Sequence, residues 1–155
     1  MNIQHTAAAL LAALVMNAAW AADTSSVPTG MKFAVVRANI ADDKWVAAIE
    51  ELKRMNEPGN PDWNNLMGYS HRKAKKPDYE AAEKFYDTAL AIDPAHRGAL
   101  EYSGELYLVL GNLEKAEQRL AALDKACKLP CSEYALLKKA IDDYKANGNK
   151  YVPAQ

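Results

Sequence analysis

Residues 79–94 read Tyr-Glu-Ala-Ala-Glu-Lys-Phe-Tyr-Asp-Thr-Ala-Leu-Ala-Ile-Asp-Pro, and the key positions of this stretch return thirty-four residues away on both sides. Tyr79 has Trp45 before it and Leu113 after it, Ala82 has Ala48 and Ala116, Tyr86 has Leu52 and Leu120, and Ala89 has Met55 and Leu123. In each copy a small residue stands where two helices can cross closely, and a bulky residue four places later fills the space beside it. A sustained period of this size implies a repeated helical hairpin. One such hairpin cannot bury its own apolar face, so it must stack on a neighbour.

Working outward, periodicity and stop signals predict helix pairs over 31–41 with 43–56, 62–74 with 78–92, and 96–110 with 112–126. Asp43, Asp78 and Asn112 stand where a side-chain oxygen would cap the second helix of each pair. Gly111 ends the helix before Asn112, and Asp93-Pro94 breaks the chain between units. Gly68 and Gly104, placed for close helix approach, lie thirty-six apart instead of thirty-four, so the middle unit has two extra residues around Lys75-Lys76-Pro77. That loop is expected to protrude. A last helix over 132–146 carries Tyr134, Leu137, Ile141 and Tyr144 on one face and Lys138, Lys139, Asp142 and Asp143 on the other. Such a helix closes the core on one side and meets water on the other.

The Leu66-Met67-Gly68-Tyr69 run, Tyr79 to Ala82, Tyr86, Ala89, Asp93-Pro94, Gly104, Tyr107, Gly111, Leu113, Ala116 and Leu123 carry a resemblance to the tetratricopeptide repeat family, and within it to small exported bacterial members. It covers roughly residues 30–126, with Val36 in the first unit where the family usually has a small residue. The resemblance implies an all-α, right-handed α-solenoid of about three helical hairpins plus a C-terminal capping helix. It also implies a concave groove, lined by the first helix of each pair, in which a protein or peptide partner lies. By repeat position the groove-facing residues would be Phe33, Arg37 and Ile40 from the first unit, Asn65, Tyr69, Arg72 and Lys73 from the second, and Glu101, Tyr102, Glu105 and Leu108 from the third. Aromatic anchors and charges of both signs suit an extended peptide or a partner helix. The family's carboxylate clamp is not reproduced, because Glu101 and Glu105 occupy the third-unit positions.

Residues 7–19 are apolar but shorter than a membrane span needs, and Ala19-Trp20-Ala21 is a small-x-small site of the kind signal peptidase cuts. We read residues 1–21 as a signal peptide, 22–30 as a flexible leader, 31–146 as the repeat domain with its cap, and 147–155 as a C-terminal tail. The expected location is periplasmic, with a mature chain starting near Ala22. Residues 1–6 contain no Lys or Arg, which leaves a buried or membrane-anchoring N-terminal helix as the alternative.

The 155-residue chain has 19 basic and 20 acidic residues and a formal charge of -1. This balance does not point to nucleic acid or an anionic membrane surface, and no further apolar segment would insert the mature chain in a membrane. The basic run Arg72, Lys73, Lys75, Lys76 is open to two readings: a solvated turn, or a contact for an acidic partner or lipid headgroup.

Cys127 and Cys131 stand four apart, within reach of a disulfide in an oxidising compartment. So short a loop gains on the order of 2 kcal/mol from closure, and its use would be to set the angle of the capping helix. The alternative is a thiol- or metal-handling accessory protein. Two cysteines supply only half of a closed zinc site, the spacing is not CxxC, and His71 and His96 lie in earlier units. No metal and no cofactor is expected. Nucleophile, metalloprotease and phosphate-loop motifs are all missing from the sequence, which argues against an enzyme. The remaining alternative is a subunit that exists only inside a larger assembly.

Overall fold

The computed structural model describes residues 29–129 and 131–152; the segment read as a signal peptide, most of the segment read as a leader and the last three residues lie outside the described residues. Within them the chain forms α1 (Thr29–Lys32), α2 (Ala34–Ala41), α3 (Trp45–Met55), α4 (Pro61–Lys73), α5 (Tyr79–Ile92), α6 (Arg97–Val109), α7 (Leu113–Ala126) and α8 (Ser132–Ala146), with no strand among them. Three hairpins, α2–α3, α4–α5 and α6–α7, stack in chain order, and α8 packs on α6 and α7. No helix of the described residues is long and apolar enough to cross a membrane.

The thirty-four-residue positions make the core. Ala48, Ala82 and Ala116 are fully buried, as are Leu52, Tyr86, Ala89 and Leu123. Burial runs as a relay. Phe33, Val36, Leu52, Trp63 and Met67 fill the first interface; Ala82, Tyr86, Ala89 and Leu106 the second; and Leu108, Leu123, Leu137, Ile141 and Tyr144 the last. Each cluster joins one hairpin to the next element, so no unit is stable by itself. The Trp63 indole N–H adds a polar tie, donating to the Leu52 carbonyl at 2.7 Å across α3 and α4. The middle loop, residues 74–78, is two residues longer than its counterparts at 42–44 and 110–112, and its Lys75 and Lys76 are exposed.

Asp78 and Asn112 cap α5 and α7 by accepting from the Ala81 and Lys115 amides. Asp43 does not cap α3. The residue at the corresponding position is Lys44, which has no acceptor to offer. Asp43 instead takes a left-handed conformation, φ 56°, at the repeat position that Gly111 fills with φ 75°. Aspartate is one of the few residues with a side chain that tolerates that region.

On α8, Leu137, Ile141 and Tyr144 face inward, while the Lys138–Asp142 and Lys139–Asp143 pairs lie on the exposed face. Cys127 and Cys131 are joined by a disulfide, with Cα atoms 5.9 Å apart, at the point where α7 hands over to α8.

Candidate functional site

The first helices of the hairpins, α2, α4 and α6, together with α8, line an open groove of about 710 Å³. The capping helix is part of this wall because it follows α7 at almost the interval at which α6 follows α5, and so takes the first-helix place of a fourth unit. Its Ser132, Glu133 and Leu136 face the groove.

The start of α4 is set by Asn60, whose side chain accepts from the Asp62 and Trp63 amides, with Pro61 preset for the first turn. Asp62 thereby points at the start of α6, thirty-four residues on. There His96 caps the helix, its Nδ1 accepting from the Ala99 N–H at 3.0 Å, and its Nε2 lies 3.1 Å from Asp62 Oδ1. A nitrogen that accepts carries no proton, so the cap places the proton on Nε2, which donates to Asp62.

On the groove floor Tyr69 and Tyr102 meet with ring centroids 4.6 Å apart, and Trp45 abuts Tyr69 edge-on at 6.0 Å. Beneath the tyrosine pair lies the Arg72 guanidinium, 5.5 Å from one ring centroid and 5.7 Å from the other. Arg72 is bound to Glu105 at 2.7 Å. Burial, reinforced by the neighbouring carboxyls and countered by Arg72, pushes the Tyr102 hydroxyl up to about 12.

Glu101 is 5% exposed, yet among the described residues it has neither a hydrogen-bond nor an ion-pair partner. Burial, then the like charges of Glu105 and Glu133, push its carboxyl up to about 7 against the opposing pull of Arg72. Below its ordinary value of 4.5 the group is neutral in folded and unfolded chains alike. Between there and 7 only the folded chain holds the proton, so the stability it contributes is present below 4.5 and lost as pH rises to 7. Allowing for water at the groove mouth, the loss is about 1–2 kcal/mol. Urea unfolding of the wild type and Glu101→Gln should therefore diverge by that amount between pH 4.5 and 8, the variant being the more stable at pH 8; parallel profiles would remove Glu101 as the source.

Of the residues expected to face the groove, Arg37, Ile40, Asn65, Tyr69, Glu101 and Tyr102 line it. Phe33 does not: it is fully buried in the first core cluster. Among the described residues no unit precedes the first hairpin, and Phe33, at the junction of α1 and α2, closes that end. Leu108 is likewise core. Arg72 is buried in its ion pair instead of presented to a partner, and it is separated in environment from Lys73, Lys75 and Lys76, which are exposed and lie outside the groove. Glu105 is its partner.

Two contributions were missed. Asp62 and His96 form a pair at matching repeat positions, a signal that the period itself contained. Tyr151 belongs to the segment read as tail, but it packs on the last core cluster and sits beside Arg72 and Glu105, its hydroxyl raised by burial and by the Glu105 charge and lowered by Arg72. Gly148 and Asn149, at φ 65° and 61°, turn the chain back to reach that place.

Among the described residues no group of three or more His, Cys, Asp or Glu side chains could hold a metal ion. No curated protein matches the chain. Residues 74–141, from the α4–α5 loop into α8, match the model of the tetratricopeptide repeat family. That match, with three hairpins stacked in the thirty-four-residue register, makes residues 74–141 tetratricopeptide repeat and the fold an all-α repeat of that type.

Proposed function

We propose that the protein is a non-catalytic adaptor, exported to the periplasm, that holds a protein or peptide partner in its concave groove. The observation that carries this reading is the groove itself, built by α2, α4, α6 and α8, with a tyrosine pair and unpartnered polar groups on its floor. Tetratricopeptide repeats generally mediate protein–protein interaction, and the family is generally non-catalytic. The right-handed winding of such arrays would make the groove concave around its ligand. Export is supported by the small-x-small site at Ala19-Trp20-Ala21 and by a disulfide pair, which persists in oxidising compartments.

The test is crosslinking and capture from the native periplasm with wild type and the groove-mouth variant Arg37→Glu/Leu136→Asp, both side chains being exposed. A partner held by wild type and by Glu114→Gln on α7, but lost by the double variant, is the expected result. Capture unaffected by the double variant would move the binding surface off the groove. Fractionation with N-terminal sequencing should find the mature chain in the periplasm starting near Ala22; an intact N-terminus in the cytoplasm would overturn the localisation.

A further inference from the structure

We infer that the groove is built to receive a basic side chain, lysine or arginine, of an extended segment of its protein partner, with Glu101 as the counter-charge. The inference rests on the groove-binding reading above and specifies its partner. Glu101 is 5% exposed, and two of the guanidinium groups around the groove are committed elsewhere, Arg72 to Glu105 at 2.7 Å and Arg97 toward Glu133 at 3.7 Å, while Arg37 lines the groove from α2. A carboxylate largely withdrawn from water with no ion-pair partner among the described residues is a costly arrangement. A cation entering the groove would remove that cost.

Asn65 borders the same site. It faces the same groove from α4, is 7% exposed, and its Oδ1 has no donor. Gly98 leaves it room, since a Cβ there would stand 2.9 Å from Asn65 Nδ2. Asn65 Oδ1 is enclosed beside the groove, so the acceptor the groove itself offers is Glu101, and the ligand it suits is a donor.

The charge balance agrees. Asp62, Asp93, Glu101 and Glu133 line the groove against Arg37 and Arg97, and both ring nitrogens of His96 are engaged, one by the Ala99 amide and one by Asp62. The walls are apolar where an aliphatic stem would lie, at Ile40, Leu66 and Leu136, with the edges of Tyr69 and Tyr102 beside them. A long side chain that buries its stem and presents its charge at the end fits this combination. A bare divalent ion does not, because the carboxyls are not gathered into a ligand set among the described residues.

The full chain can be titrated with four capped nine-residue peptides, identical except for a central Lys, Arg, Gln or Glu, while the amide resonances of the groove are followed by NMR. The Lys and Arg peptides should bind at least tenfold more tightly than the Gln peptide, and the Glu peptide most weakly. Glu101→Gln, which keeps the shape and removes only the charge, should abolish that preference, and Glu114→Gln should leave it intact. Equal binding of Lys and Gln peptides at the groove would overturn the cation site while leaving the groove reading in place. A preference that survives Glu101→Gln would also overturn it. If no peptide moves the groove resonances, both readings fall.

Discussion

Arg72→Ala is expected to destabilise the fold by about 3–5 kcal/mol, the cost of breaking a buried ion pair by removing one partner. The guanidinium is enclosed by α4, α6 and the returning tail: Glu105 binds it at 2.7 Å, the Tyr69 and Tyr102 rings cover it, and Tyr86 and Tyr151 stand near. Alanine would leave the Glu105 carboxylate, 19% exposed, without a counter-charge and close to the already unpaired Glu101. Urea unfolding followed by circular dichroism measures the loss, and a cost below about 1 kcal/mol would contradict the assignment. Replacing both partners, Arg72→Met with Glu105→Leu, should recover most of it, since a buried pair and a well-packed apolar pair differ far less than a pair and half a pair. It follows that loss of partner binding in an Arg72 variant would report a damaged fold before a lost contact.

Gly68→Val is expected to cost on the order of 3 kcal/mol or more, at the upper end of overpacking. A Cβ at Gly68 would lie 2.7 and 2.8 Å from ring carbons of Tyr86 and 3.1 Å from the Ala82 carbonyl oxygen. The ring is fully buried and the carbonyl is backbone, so neither can yield without parting α4 from α5. Alanine at the same place meets the clash but regains about 1 kcal/mol of helix propensity, and should fall between wild type and valine. Gly59, where an added Cβ meets nothing within 4 Å, is the control. A thermal melt should fall by about 10 °C or more for Gly68→Val and hold for Gly59→Ala. Equal melts for wild type and Gly68→Val would mean the two helices are not packed as described. Gly104 serves the same purpose between α6 and α8, where the opposing atoms are Leu137 methyls.

The helices were legible because their signals are local or periodic. Tyr79 and Leu113, preceded by Asp78 and Asn112, start α5 and α7 where the pattern places them, and the apolar face of α8 is evident from intervals of three and four. The Asp43 expectation failed for a local reason as well: the period puts Lys44 at the capping position, and the nearest acceptor was not in register. About half of the groove could be read too, since Asn65, Tyr69, Glu101 and Tyr102 occupy repeat positions whose direction follows from helix phase.

Helix phase does not determine what a long side chain finds when it arrives. Arg72 and Lys73 are neighbours with like charge, and only the presence of Glu105, two tyrosines and the reversed tail makes the first a buried structural residue and the second a solvated one. Phe33 occupies a groove position by count and a core position by circumstance, because the first unit has an end to close. The all-helical class, the thirty-four-residue register, the approximate helix limits and the capping helix could be read from the residues alone, because all are consequences of spacing and of backbone hydrogen bonding within a few residues. Which charges are paired and which are left open came from the packing of distant segments: Arg72 with Glu105, His96 with Asp62, and Glu101 with no partner among the described residues. The energy of a charge depends on partners and solvent that are brought to it by segments distant in the chain.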